Sequence, residues 1–157
     1  MDASTLKGRA VVSLIEGTKL GSIEQPLFDL HLQHLLAFEM RGEDGTFFIP
    51  FGLVKSIGAD AVTVASHQVV QDDLRGTLVE LDQVLHLKVV DRAGTFAGTI
   101  AHIDIDPTTG DVVRIAAHKG GILGVGGTTT PIEPAMILTV GPELVTLATE
   151  VGMSLVS

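Results

Sequence analysis

The sequence predicts an all-β fold in which one small unit is used twice. Three observations carry that expectation. A short stretch recurs: Gly17 to Ile23 reads G-T-K-L-G-S-I and Gly94 to Ile100 reads G-T-F-A-G-T-I, each following a valine pair, Val11-Val12 and Val89-Val90. The 157 residues are 45% apolar and hold 18 glycines but no Trp or Tyr, which suits short strands and Gly-rich turns better than long helices. Finally, Asp106-Pro107-Thr108-Thr109-Gly110 is a turn signal that no continuous helix could carry.

The elements follow in order. Leu6 to Leu14 holds a β-branched patch and reads as a first strand, and Glu16 to Gly21 supplies its turn. Gly17 sits where a hairpin needs positive φ, and Gly21 permits a bulge or a close backbone approach. Leu27 to Met40 fits a helical stripe and a period-two strand equally well. The second copy, Ile100 to His118, arbitrates through its Asp106–Gly110 turn, so two strands with a turn near His31 to His34 are expected. Asp44-Gly45 turns into Thr46 to Phe51, where Pro50 ends ladder pairing. Phe51 to Ser56 is expected as a single helical or 3₁₀ turn stopped by Gly58, and Asp60 to Ala65 as the closing strand, echoed by Glu143 to Ala148. These readings divide the chain into a first unit over 1–66, a linker over 67–82 and a second unit over 83–157. Val69, Val70, Leu74, Leu78 and Leu81 predict that the linker packs. Lys119 to Gly127 is an insertion peculiar to the second copy, standing where the first has only Arg41 to Gly45.

The residues that repeat carry a resemblance. L-K-G-R-A-V-V at Leu6 to Val12, G-T-K-L-G-S-I, and I-P-F with I-G-A-D-A-V-T-V between Ile49 and Val64 resemble the PRC-barrel domain. So do K-V-V-D at Lys88 to Asp91, G-T-F-A-G-T-I and D-P-T-T-G-D-V at Asp106 to Val112 in the second copy, as well as the G-G-I-L-G-V-G-G loop. That family includes the cytoplasmic domain of the photosynthetic reaction-centre H subunit and the C-terminal barrel of a ribosome maturation factor. The second copy departs at Pro131 to Pro134, P-I-E-P in place of F-I-P-F. The resemblance implies two tandem, mostly antiparallel barrels with short helical or 3₁₀ turns, each of about six short strands. Closure agrees with physics, because a unit of roughly 60 to 70 residues can hardly afford exposed sheet edges. The matching motifs are turn glycines and strand residues, which specify a fold and no activity. Neither named role is carried over, since no counterpart of the maturation factor's other domain or of the reaction-centre anchor is seen.

Composition narrows the function. The net charge is −9, and the ten Lys and Arg are scattered, so nucleic acid is disfavoured as a partner. There is no cysteine, hence no disulfide, thiolate metal site or Cys nucleophile. No signal peptide and no membrane-spanning apolar run are visible, and a cytoplasmic location is expected.

Each remaining constellation has a plainer explanation beside the chemical one. His31 and His34, with Glu24, Asp29 and Glu39 near them in sequence, could offer two imidazoles to a metal on a helix, but flanking a turn they need not converge. Asp104, Asp106, Thr108, Gly110 and Asp111 fail the calcium-loop pattern, because Thr109 and Ile115 stand where Gly and Glu belong. Lys119 to Gly127 lacks the Lys-Ser or Lys-Thr of a phosphate loop, and no Gly-x-Ser-x-Gly elbow occurs. No catalytic residue, cofactor or metal ligand is therefore assigned. What remains is apolar: Ile122, Leu123 and Val125 on the Gly-rich loop, and Phe48, which alternation turns away from Phe47 and Ile49 toward an interface. The expectation is a non-enzymatic protein-interaction or assembly module that uses Phe48, Ile122, Leu123 and Val125 to bind a protein partner or a second copy, as in a homodimer. The alternative is a small-ligand or metal-binding regulator built on His31 and His34.

Overall fold

The computed structural model describes residues 1–71, 76–120 and 126–150. The first copy comprises β1 (Ala10–Ser13), β2 (Thr18–Phe28), β3 (Leu35–Gly42), β4 (Gly45–Pro50), β5 (Val54–Ile57) and β6 (Ala61–Val64). A short β7 (Val79–Glu80) and the one-turn helix α1 (Leu81–Val84) lead into the second copy. That copy comprises β8 (Lys88–Val90), β9 (Phe96–Ile105), β10 (Val112–Lys119), β11 (Thr128–Ile132), β12 (Ile137–Val140) and β13 (Leu144–Leu147). The strand orders are β4-β3-β2-β1-β6-β5 and β11-β10-β9-β8-β13-β12, so one topology is used twice. All pairings are antiparallel except β1 with β6 and β8 with β13, which are parallel. The fold is all-β, as the sequence predicts, with two small barrel-like units in tandem.

Local chemistry explains most boundaries. Gly17 takes φ +68° at the first hairpin, and Gly21 lies inside β2, where a Cβ would fall 2.5 Å from the carbonyl oxygen of Arg41 on β3. Opposite it the ladder shifts between Val11 and Val12, so the glycine serves a bulged, tightly packed crossing. Leu27 to Met40 is two strands joined by an Asp29–His34 turn, as its echo over Asp106–Asp111 requires. Asp29 and Asp106 build those turns alike: each carboxylate accepts a backbone N–H from further round the turn, Gln33 at 2.7 Å and Thr108 at 2.8 Å.

Two expectations need correction. The strand read from Leu6 begins only at Ala10, because Asp2 caps a 3₁₀ turn over Ala3–Leu6 by accepting the Ser4 N–H at 2.9 Å. The helical turn read over Phe51 to Ser56 stops at Leu53, and Val54–Ile57 becomes β5 because β6 offers it a ladder, Val54 opposite Val64 and Ile57 opposite Val62.

The two units are joined by mutual exchange. Met1 and Asp2, which precede the first barrel, pair with Ile105 and Asp104 on β9 of the second; the Ile105 N–H donates to the Met1 carbonyl at 2.8 Å. Val79 and Glu80, which precede the second barrel, pair in the equivalent way with Phe28 and Leu27 on β2 of the first. Between these exchanges the two Asp turns meet back to back. The Leu35 N–H donates to the Gly110 carbonyl at 2.7 Å, and the Val112 N–H to the Gln33 carbonyl at 2.9 Å. The two bonds are reciprocal, since Leu35 opposite Phe28 and Val112 opposite Ile105 hold equivalent places in their barrels. Gly110 has to be small as well as left-handed (φ +79°), since a Cβ would lie 2.7 Å from the Phe51 ring. One apolar cluster runs through both units, from Val11, Phe28, Leu32 and Phe38 to Ile100, Ile105, Val112 and Val145, all buried. Each such large side chain contributes about 1.5–3 kcal/mol by leaving water.

Candidate docking face on the first barrel

The outer face of β2, β3 and β4 differs from the rest of the molecule. Leu27, Ala37 and Phe48 form a second apolar cluster there, separate from the main core, with Leu78 packed against it. Alternation puts Phe48 on this face while Phe47 and Ile49 pack against the main core, as the sequence reading required. Phe48 is only 1% exposed, however. The chain's own linker runs over this face: Phe48 and Gln71 form an antiparallel pair, with N–H to O distances of 2.9 and 2.8 Å in the two directions. The interface that Phe48 meets is therefore internal, between β4 and the segment that follows β6.

That segment is held at its start by side chains. Ser66 caps a 3₁₀ turn over His67–Val69 by accepting the Gln68 N–H at 3.2 Å. Glu16, on the β1–β2 turn, accepts the His67 N–H at 2.8 Å and lies 3.4 Å from its Nδ1. The Ser13 hydroxyl donates to the same carboxylate oxygen. The Ser13 hydroxyl first, then the His67 N–H, hold the Glu16 carboxyl below its ordinary 4.5, because both bind the charged form. Val69 then inserts into the main core at 8% exposure. Sequence reading missed this clamp. The Ser13-x-x-Glu16 spacing was its one local signal, and its third member, His67, is distant in sequence.

Beside the segment lies a cleft of about 780 Å³ that extends from β2 to the β3–β4 hairpin. Val70 and Phe47 give it an apolar side, while Lys19, Arg41, Glu43 and Asp44 bring charges of both signs. Arg41 reaches out of it to Glu24 at 3.1 Å. A neighbouring cleft of about 270 Å³ is lined by Lys7, Gln25 and Asp82. There Lys7 Nζ donates to both Asp82 oxygens at 2.8 and 2.7 Å, and the Gln25 amide donates to one of them. The Lys7 ammonium is the main reason that the Asp82 carboxyl sits below its ordinary 3.8; it outweighs the opposing cost of burial, and the Gln25 amide adds to it.

The other predicted positions lie elsewhere. Ile122, Leu123 and Val125 fall outside the described residues. At the foot of their loop Lys119 Nζ sits 5.4 Å from the Phe96 ring centre and donates to the Phe96 carbonyl at 3.1 Å. His31 and His34 belong to the seam between the barrels, with Nδ1 atoms 2.9 Å from the Leu138 carbonyl and 2.9 Å from an Asp111 carboxylate oxygen. Among the described residues no three His, Asp or Glu side chains are grouped to hold a metal. No helix among them is long and apolar enough to cross a membrane.

A family model for the PRC-barrel domain matches residues 1–71 and again 76–143. The chain belongs to the PRC-barrel family. Its two matches cover the first strand set whole and the second from β8 to β12, so this is a tandem PRC-barrel protein. No curated protein matches the chain. Within the tandem, the two outer faces have diverged. The places of Leu27, Ala37 and Phe48 in the first PRC barrel are taken in the second by Asp104, Arg114 and Pro131. Arg114 and Pro131 are exposed, and Arg114 approaches Asp104 to 3.7 Å.

Proposed function

We propose that this tandem PRC-barrel protein is a non-enzymatic interaction or assembly module that works in the cytoplasm. Its partner would be another protein or a second copy of the chain, and its working surface the outer face of the first barrel. The observation that carries the reading is the cleft of about 780 Å³ alongside β4. Phe47 and Val70 offer apolar contact there. Lys19 and Arg41 facing Glu43 and Asp44 suit a polypeptide with charges of both signs better than a polyphosphate. The chain's net charge of −9 points the same way. Ile122, Leu123 and Val125, three apolar residues on a Gly-rich loop, are retained as a second contact on the strength of their sequence.

In-cell photo-crosslinking tests the reading. A crosslinking residue at the exposed Thr46 position of β4, and separately at Leu123, is expected to capture one dominant polypeptide, either a partner or a second copy. Scattered adducts matching those from a control at the exposed Leu138 position would overturn it.

A further inference from the structure

The two ends of the seam between the barrels are built differently. At one end the Asp29–His34 turn of the first barrel is tied to the outer edge of the second barrel's last hairpin. The Val140 N–H of β12 donates to the Leu30 carbonyl at 3.2 Å, the His31 ring meets the Leu138 carbonyl at 2.9 Å, and the Gln33 amide donates to the Pro134 carbonyl at 2.6 Å. At the other end Pro107, Thr108 and Gly110 hold the places of Leu30, His31 and Gln33, and β5 holds that of β12. None of the three ties recurs there among the described residues. The turn has a different shape, since its left-handed residue is Gly110 and not Thr109, the equivalent of Leu32. In place of a side-chain bond, the Phe51 ring packs on Gly110.

Among the described residues β5 is thus left with an open edge. The Gly58 N–H closes the β5–β6 hairpin by donating to the Ala61 carbonyl at 2.9 Å, as that of Gly141 does to Leu144 at 2.9 Å. In an antiparallel ladder the preceding residue, Ile57 or Val140, directs its N–H away from the partner strand. Val140 finds Leu30 there, whereas Ile57 lines a cleft of about 380 Å³. Phe51, Val54, Pro107 and Thr108 also line this cleft, and Lys55 is its one charged residue. Lys55 is exposed and makes no ion pair among the described residues, in a chain whose net charge is −9.

We propose that the outer edge of β5 is a docking site for an extended, acidic segment of a protein partner, which takes the place there that Leu30 and His31 take on β12. The internal seam supplies the template: a carbonyl of the segment accepts the Ile57 N–H, as Leu30 accepts that of Val140, and a donor meets the Lys55 carbonyl, as His31 meets that of Leu138. The charge of the segment follows from Lys55, which stands where the closed edge has the apolar Leu138 and so favours a carboxylate. An edge lysine also discourages β5 from pairing with β5 of a second copy. β5 and β4 are opposite ends of the first barrel's strand order, so this site is additional to the cleft beside β4.

Two measurements on the full chain test this. The first is hydrogen exchange on the unmodified protein at neutral pH. The Ile57 amide is expected to exchange at least about tenfold faster than that of Val140, after correction for intrinsic rates. Equal protection would mean that the Ile57 N–H has a partner inside the chain, and would overturn the proposal. The second is an amide-shift titration by NMR with the capped peptides acetyl-Ser-Glu-Val-Glu-Ser-amide and acetyl-Ser-Lys-Val-Lys-Ser-amide. It is run at about 0.15 M salt, where charges further than about 8 Å away are largely screened. The Glu peptide is expected to shift the Lys55, Ser56 and Ile57 amides and to bind at least about threefold more tightly than the Lys peptide. In Lys55→Glu, a change at an exposed position, that preference should reverse. No shift at Ile57, or equal binding of the two peptides, would overturn the proposal. Shifts confined to Phe47 and Val70 would support the cleft beside β4 and remove the β5 site alone.

Discussion

Two glycines of the first hairpin separate conformational from steric demand. Gly17 needs its positive φ but faces open space, so Gly17→Ala is expected to cost about 1 kcal/mol. Gly21 meets the Arg41 carbonyl, a backbone atom that cannot rotate away, so Gly21→Ala is expected to cost more, about 2–3 kcal/mol, by prising β2 from β3. Urea unfolding of both variants checks the ranking; equal losses would refute the steric account. Both glycines were legible in the sequence, because a turn and a tight crossing have local signatures. Leu32 was not. It holds φ +54°, in a region where glycine or asparagine is expected, and is fully buried. What places it there is the core around its side chain, which no local pattern encodes.

At the scale of elements, the clamp on the segment after β6 is the part that pH can address. The groups facing Glu16 are the neutral Ser13 hydroxyl and His67. Since the folded Glu16 carboxyl titrates below its ordinary 4.5, its contribution is complete above that value and is lost as pH falls through the lower folded value. Exchange protection at the His67 and Gln71 amides, corrected for intrinsic rates, is expected to fall in that acid range. In Glu16→Gln protection should be weaker at neutral pH and flat across the range. A pH dependence that survives in the variant would assign the effect to another group. Strand identity was readable here and strand cover was not. Alternation put Phe48 on the outer face, but its cover comes from Gln71 and Leu78, and no spacing rule links β4 to them. Val54–Ile57 was missed for a related reason, since a four-residue strand is defined by the partner it finds in β6.

For the whole molecule, the exchange of leading segments and the continuous core imply one cooperative unit. Calorimetry is expected to show a single unfolding transition whose van't Hoff and calorimetric enthalpies agree. Leu35→Ala, at a seam position only 1% exposed, should lower that transition as a whole, by about 5–15 °C. Two resolved transitions, one of them unmoved, would show that the barrels fold separately. The duplication itself was legible, since the Gly-x-x-x-Gly stretches and the Asp106–Gly110 turn recur or rhyme in sequence. The exchange was not, because the pairing of Met1 with Ile105 joins residues that share no local pattern.

Two barrels that trade their leading segments have the arrangement by which separate copies would form a symmetric pair. Here the pair is written into one polypeptide, so the halves meet at a concentration set by their tether and not by expression level. Symmetry also ceases to be an obligation. In a true homodimer the residues of the two outer faces would be identical. In the fused chain Phe48 and Pro131 can stand at equivalent places, so that one outer face is apolar and covered by the chain itself while the other is polar and exposed.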